Sequence, residues 1–277
     1  MTAAAPASPT LTMADGRPIP QLGLGVWQVP DDDAEAAVRT ALAAGYRLVD
    51  TARAYDNEVG VGRGLRGSGL PREELFVTTK VWNSDHGAER TVAACRASLD
   101  RLGLDHLDLY LIHWPSPKKD RYVDTWRALV SLQEEGLVRS IGVSNFTQAH
   151  IERIVAETGV APVVNQVELH PRFPQAGLRA FHAEHGILTQ AWSPLAQGEL
   201  LAHPTVVGLA DKHGVSPAQV VLRWHVQLGN LVIPKSVTPS RIVANIDVFG
   251  FALDEADLAA IATLETGERL GPDPDSF

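Results

Sequence analysis

The amino-acid sequence predicts an α/β chain folded as one (β/α)8 TIM barrel with an N-terminal β-hairpin. Three observations carry that prediction. Eight short apolar runs alternate along the chain with amphipathic helical patterns. The length of 277 residues falls in the range that such barrels occupy as a single domain. An open, doubly wound nucleotide-binding sheet would need a glycine-rich strand-to-helix turn of the form G-x-G-x-x-G. The nearest approach here, Gly60, Gly62 and Gly64, has the wrong spacing and follows the polar stretch Tyr55–Glu58 instead of a strand.

Taken in order, residues 1–10 are small and polar, without the basic start and apolar centre of a secretory signal, and are expected to be a disordered tail. Residues 11–277 then form the single barrel domain, since no low-complexity linker or Pro/Gly hinge divides them. Asp15-Gly16 between two short extended pieces predicts the hairpin, placed to plug the barrel floor. The eight candidate strands are Leu22–Trp27, Arg47–Thr51, Leu75–Val81, Leu107–His113, Val138–Asn145, Pro162–Leu169, Ile187–Leu195 and Leu231–Val237. The fourth and eighth contain nearly continuous apolar runs, as strands buried on both faces do. In the first helix Ala34, Ala37, Val38, Ala41 and Leu42 recur at helical spacing, and Gly45 ends it. Arg90–Leu102, Val123–Glu135, His150–Glu157, Leu178–Glu184, Pro217–Leu228 and Ser240–Phe249 follow the same logic, and Asp254–Leu264 trails the last unit.

Composition narrows the partners. A formal net charge of −9 repels nucleic acid and anionic membrane, so the expected partner is a small molecule. No run approaches the apolar length of a membrane span. One cysteine, Cys95, allows no internal disulfide and fits a reducing, cytoplasmic setting. The chain is expected to act as a monomer. No metal site is expected: His182 and His185 lie three apart on a helix, but no histidine spacing supports a ligand set.

Ionisable and aromatic residues cluster where strands end, which is where barrel active sites form. The second strand ends in Asp50-Thr51, with Tyr55 just beyond. The third ends at Lys80, followed by Trp82. The fourth ends in His113-Trp114. Singly, each reads equally well as a structural ion pair or a capped strand end; four together converge on one spot. A free tyrosine has a pKa near 10 and is a poor acid at neutral pH. A neighbouring ammonium favours the phenolate and lowers that pKa. Lys80 supplies the ammonium, Asp50 holds it, and His113 can hydrogen-bond a substrate oxygen. The set suits protonation of an oxyanion as a hydride arrives at carbon.

These segments, with Lys80-Val-Trp82-Asn83, Ile141-Gly-Val-Ser-Asn-Phe146 and Ile233-Pro-Lys-Ser-Val-Thr-Pro239, resemble the aldo-keto reductase family, and most closely its bacterial 2,5-diketo-gluconate reductase group. The resemblance runs from about Leu11 to Phe251. It implies NADPH (NADP+ in the oxidised form) as cofactor and the reduction of aldehydes or ketones to alcohols. The family's catalytic tetrad falls on Asp50, Tyr55, Lys80 and His113, with Tyr55 as the acid. Ser144, Asn145 and Gln166 match the residues that hold the nicotinamide carboxamide, and Trp192 matches the ring that stacks on it. Ser193, Pro194, Leu195 and Gln197 fall near the pyrophosphate. Lys235, Ser236, Val237, Thr238, Arg241 and Asn245 match the 2′-phosphate pocket. Asp50, Gly25 and Val26 complete the cofactor set, and Trp27, Tyr55, Trp82, His113 and Trp114 the substrate set.

The structural alternatives are a helix cap for Ser144-Asn145, a solvated first-turn residue for Arg241, which the helix dipole disfavours unless an anion is bound, and core packing for Trp27, Trp82 and Trp114, against which their places beside strand ends favour an aromatic substrate pocket. Two departures from the family stand out. Ala244 replaces an acidic residue that holds the adenine in some members. Val26 and Gln28 replace Thr and Lys of the common Gly-Thr-Trp-Lys, which removes a hydroxyl and a charge offered to the cofactor. The short tail, Glu265–Phe277, is expected to leave the substrate pocket open and broadly specific, with 2,5-diketo-gluconate, methylglyoxal and simple or aromatic aldehydes as candidates. Two other readings compete. A binding protein that keeps the barrel, like the channel-associated members, is disfavoured by the intact tetrad. A double-bond reductase would carry Glu in place of His113.

Overall fold

The computed structural model describes residues 8–277. The tail expected over residues 1–10 therefore lies mostly outside the described residues. Of its last three, Ser8 is buried and accepts the Leu22 N–H at 2.9 Å, and Thr10 opens the first strand.

Strands β1 (Thr10–Thr12) and β2 (Pro18–Pro20) form the antiparallel hairpin. Eight parallel strands follow: β3 (Gly23–Gly25), β4 (Leu48–Asp50), β5 (Phe76–Val81), β6 (Leu107–Ile112), β7 (Val138–Ser144), β8 (Val164–Glu168), β9 (Leu188–Trp192) and β10 (Leu231–Val232). They pair in sequence order. Parallel bridges Leu22–Val232 and Gly25–Lys235, with Val232 N–H on Gln21 O at 2.9 Å, close the ring. The closed (β/α)8 barrel is thus the fold. β10 stops well short of the expected Val237: Pro234 has no N–H for the ladder, so beyond Val232 only the isolated bridge Gly25–Lys235 continues the pairing.

Two cores flank the sheet. Inside the barrel, Leu48, Leu109, Leu111, Val164 and Leu231 pack against Met13 and Ile19 of the hairpin, which closes the floor. Outside, Leu107, Tyr110 and Ile112 pack against the helices. β6 therefore alternates between two buried faces, and this is why its sequence is almost uninterrupted in apolar character.

The helices are α1 (Asp31–Ala43), α2 (Glu58–Gly67), α3 (Ala88–Leu102), α4 (Tyr122–Glu134), α5 (Gln148–Thr158), α6 (Ala176–Glu184), α7 (Pro204–His213), α8 (Pro217–Gln227), α9 (Pro239–Ile246) and α10 (Glu255–Ala262). Two of them, α2 and α7, are absent from the periodicity reading. α2 carries the three glycines, which ordinarily weaken a helix. Here they let it press against its neighbours. A Cβ on Gly60 would sit 2.0 Å from Asp31 O, one on Gly62 2.3 Å from Leu102 O, and one on Gly64 2.7 Å from Val38 Cβ. α7 is a second helix within the seventh unit, entered through Pro204 and ended by Gly214 in the left-handed region. No helix among the described residues is long and apolar enough to cross a membrane.

Candidate active site

The strand register brings the chemistry to the C-terminal end of the ring. Asp50 closes β4, and Lys80 on β5 pairs with Leu111 of β6. His113 follows β6, its N–H bonded to Val81 O at 3.1 Å. Asp50 and Lys80 are fully buried, and Lys80 Nζ lies 2.5 Å from Asp50 Oδ1, 2.8 Å from Thr51 O and 3.5 Å from the Tyr55 hydroxyl. Tyr55 sits on a single helical turn, Arg53–Tyr55. That turn is pinned by Asn57, whose amide donates to Val26 O at 2.8 Å and Val29 O at 2.9 Å while its oxygen accepts the Thr51 hydroxyl at 2.7 Å. The Tyr55 and His113 rings meet edge to face at 5.6 Å.

Burial and charge set the protonation states. Burial pushes the Lys80 pKa down, but Asp50 and Tyr55 together outweigh it and leave the ammonium above its ordinary value. Burial raises the Tyr55 pKa, and Lys80 pulls it back only in part. The net direction is upward, which corrects the expectation of a lowered phenol pKa: in a closed site desolvation outweighs the ammonium. Burial, with Lys80 adding to it, holds His113 well below its ordinary pKa, so its ring is neutral.

A row of amides continues from this cluster. Asn145, in the left-handed region at φ 62, donates to His113 O at 2.9 Å and accepts the Trp192 indole N–H at 2.8 Å. Gln166 donates to Asp50 Oδ2 and to Gln190 Oε1, both at 2.7 Å. Ser144 donates to Gln166 O at 2.8 Å.

These groups border a cleft of about 720 Å³. Of the candidate residues, Gly25, Trp27, Asp50, Tyr55, Trp82, His113, Trp114, Ser144, Asn145, Gln166, Trp192, Ser193, Pro194, Gln197 and Lys235 line it. Lys80 stands behind the wall. Val26 and Leu195 pack into the core. Ser236, Val237, Thr238 and Arg241 lie outside the cleft around the start of α9, and Asn245 one turn beyond Arg241 on the same helix. There Ser236 and Asn245 are buried, while Lys235 and Arg241 are exposed and have no carboxylate within 4 Å among the described residues. Two unpaired cations with buried polar neighbours, in a protein of net charge −9, are the donor set a phosphate takes.

The open pocket expected from the short tail is corrected. Leu270, Gly271, Pro272 and Phe277 line the cleft, with the Phe277 ring 4.6 Å from Trp114 and 6.2 Å from Trp82. Nothing in the tail's spacing signals this; its one aromatic is the sole hint. Gln190 and Asn57 were also missed, because the second residue of a hydrogen-bonded pair has no local signature. His182 is taken up by Asn165 and Thr189, both of its ring nitrogens being engaged.

The model of the aldo/keto reductase family matches residues 21–266. An aldo-keto reductase of Mycolicibacterium smegmatis is 58% identical over 270 residues, covering 98% of each chain. Methylglyoxal reductase DkgA of Escherichia coli is 53% identical over 274 residues, covering 98% of this chain and 99% of the relative. Among solved structures, a Gox0644 variant in complex with NADPH superposes with a TM-score of 0.95 at 49% identity, covering 98% of this chain and 99% of the other.

Proposed function

This chain belongs to the aldo/keto reductase family, and we propose that it reduces small aldehydes and ketones to alcohols with NADPH, Tyr55 giving the proton. The observation that carries this reading is the convergence of the Tyr55 hydroxyl, the Lys80–Asp50 ion pair and the neutral His113 at one end of an aromatic cleft.

Bound NADPH supplies the hydride. Ser144, Asn145 and Gln166 would hold its carboxamide, Trp192 would cover the ring, and Ser193, Pro194, Leu195 and Gln197 would follow the pyrophosphate. Gly25 and Val26 offer backbone only. Lys235, Ser236, Thr238, Arg241 and Asn245 would take the 2′-phosphate, with Val237 beside them. The unpaired Lys235 and Arg241 support this fit.

The chain's own residues then handle the oxygen. His113, neutral, donates a hydrogen bond that orients the carbonyl. Tyr55 carries its proton at neutral pH, because burial keeps the phenol protonated. As the hydride reaches carbon, the developing oxyanion takes that proton. The phenolate left behind faces the Lys80 ammonium, which Asp50 keeps charged. Trp27, Trp82 and Trp114 give the cleft apolar walls suited to aromatic aldehydes as well as methylglyoxal. The test is the loss of reduced-nicotinamide absorbance when purified protein and NADPH meet methylglyoxal or an aromatic aldehyde. Tight NADPH binding without turnover of any carbonyl would instead support the binding-protein reading.

A further inference from the structure

Glu168 ends β8 two residues beyond Gln166, on the same face of the strand. Its carboxylate is fully buried. A buried carboxylate is tolerated only when its oxygens are well bonded, and two of the three donors here come from the far end of the chain. Oε1 accepts His170 Nε2 at 3.0 Å and the Leu270 N–H at 2.5 Å; Oε2 accepts the Gly271 N–H at 3.0 Å. The same stretch also touches the ring proposed to cover the nicotinamide: a Cβ on Gly271 would lie 2.5 Å from Trp192 Cη2 and 3.1 Å from Glu168 Oε2. Elsewhere the segment is held from outside the cleft, by Thr266 and Gly267 N–H on Arg172 O, Lys118 on Ser276 O and His150 near Asp275. Arg269 also lies over the Phe173 ring at 4.6 Å, and Phe277 rests on Trp114 at 4.6 Å, but Glu168 is the hydrogen-bonded anchor of Leu270 and Gly271.

We infer that Glu168 is a positioning residue: it clasps the 265–277 segment over the cleft and so sets the grip on large substrates. Glu168 itself does not line the cleft, whereas Leu270, Gly271, Pro272 and Phe277 do. With the clasp intact, Phe277 is brought against Trp82 and Trp114 and forms an aromatic wall. With the clasp open, that wall is lost, while Asp50 and Lys80 stay in place on β4 and β5, with Tyr55 and His113 on the segments that follow β4 and β6. A bulky aromatic aldehyde then loses contacts that a three-carbon aldehyde never made.

The consequence for turnover rests on the carbonyl-reductase reading; the clasp does not, and the test separates the two. Glu168→Gln replaces one acceptor oxygen with an NH2 group facing backbone donors. Gly271→Ala disturbs the same seam while leaving the carboxylate intact. Amide hydrogen exchange, read by mass spectrometry, should show protection within 265–277 falling roughly 10-fold or more in both variants, the scale of losing one charge-assisted hydrogen bond. Peptides from β4 to β7 should be unchanged. In Glu168→Gln, KM for an aromatic aldehyde should rise about 10-fold with kcat/KM for methylglyoxal preserved, while Gly271→Ala, which itself borders the cleft, is read by exchange alone. Unchanged tail exchange in both variants overturns the clasp, as does protection lost equally across the barrel. A wild-type protein that turns over no carbonyl sinks the reductase reading and leaves the exchange result to decide the clasp.

Discussion

Gln166 donates to Asp50 Oδ2 at 2.7 Å from across the barrel axis, since β8 and β4 stand four strands apart in a ring of eight. The other oxygen of Asp50 holds Lys80. The carboxylate is thus a hub that ties the proposed proton donor on one side to the proposed carboxamide pocket on the other. Its position depends on the closed ring and on no local sequence feature.

Tyr55→Phe keeps the ring and its edge contact with His113 but removes the proton. Carbonyl reduction should fall by at least about 10²-fold, the typical contribution of a general acid, with NADPH affinity nearly unchanged. Near wild-type turnover in single-turnover kinetics would exclude Tyr55 as the donor.

Lys80→Met should show two effects. It leaves the Asp50 carboxylate buried without its cation, a change that costs about 3–5 kcal/mol in stability. It also removes the group that pulls the Tyr55 pKa down against burial. The phenol pKa then rises further, and alcohol oxidation, which needs the phenolate, should shift its rising limb to higher pH. A pH–rate profile for oxidation that keeps its wild-type position would remove Lys80 from this role.

Much of the barrel was legible from sequence because its strands are short, largely buried runs and most of its helices carry one apolar face. The exceptions were tertiary. The glycines of α2 read only as a failed G-x-G-x-x-G match, and their packing against Asp31, Leu102 and Val38 has no local sign. The convergence of Asp50, Tyr55, Lys80 and His113 was legible because strand ends fall in chain order. The tail's return to the cleft was not, since Glu168 meets Leu270 and Gly271 across roughly a hundred residues and neither end carries a motif.

Those glycines make a paired test of packing. Gly62→Ala would place a Cβ 2.3 Å from the Leu102 carbonyl oxygen, a backbone atom that cannot swing aside. The expected loss is about 1–3 kcal/mol, the usual range for overpacking. Gly208, inside α7, has open space where a Cβ would go. Gly208→Ala should stabilise by about 0.5–1 kcal/mol. Urea melts of both variants give the comparison, and equal destabilisation would contradict the packing account.

Four buried histidines predict loss of stability in mild acid. Burial depresses the pKa of His86 and His182 to about 4 and of His225 to about 3, with Lys119 adding to the first and His185 to the second. His113 is also held well below its ordinary value. In the unfolded chain each takes up a proton near pH 6.5. Their contribution is therefore whole above about pH 6.5 and is lost as pH falls toward the folded values. At about pH 5, each of the first three costs roughly 2 kcal/mol. A midpoint in urea that stays constant from about pH 7 to 5 would contradict this assignment.

Cofactor choice should turn on Arg241. NADPH differs from NADH only by the 2′-phosphate, so preference comes from the groups that meet it. Lys235 and Arg241 are exposed cations with no carboxylate partner among the described residues, and Ser236 and Asn245 are buried polar groups nearby. Arg241 sits in the first turn of α9, where the helix dipole disfavours a cation unless an anion joins it. A hydrogen bond to a charged group contributes about 1.5–3 kcal/mol. Arg241→Ala should therefore weaken NADPH by roughly 10- to 150-fold, while NADH, with no phosphate to release, changes little. The enzyme should stay active, because the tetrad lies at the other end of the cofactor. Tryptophan fluorescence quenching gives both dissociation constants. Equal weakening of the two cofactors would make Arg241 structural and withdraw the phosphate pocket from the start of α9.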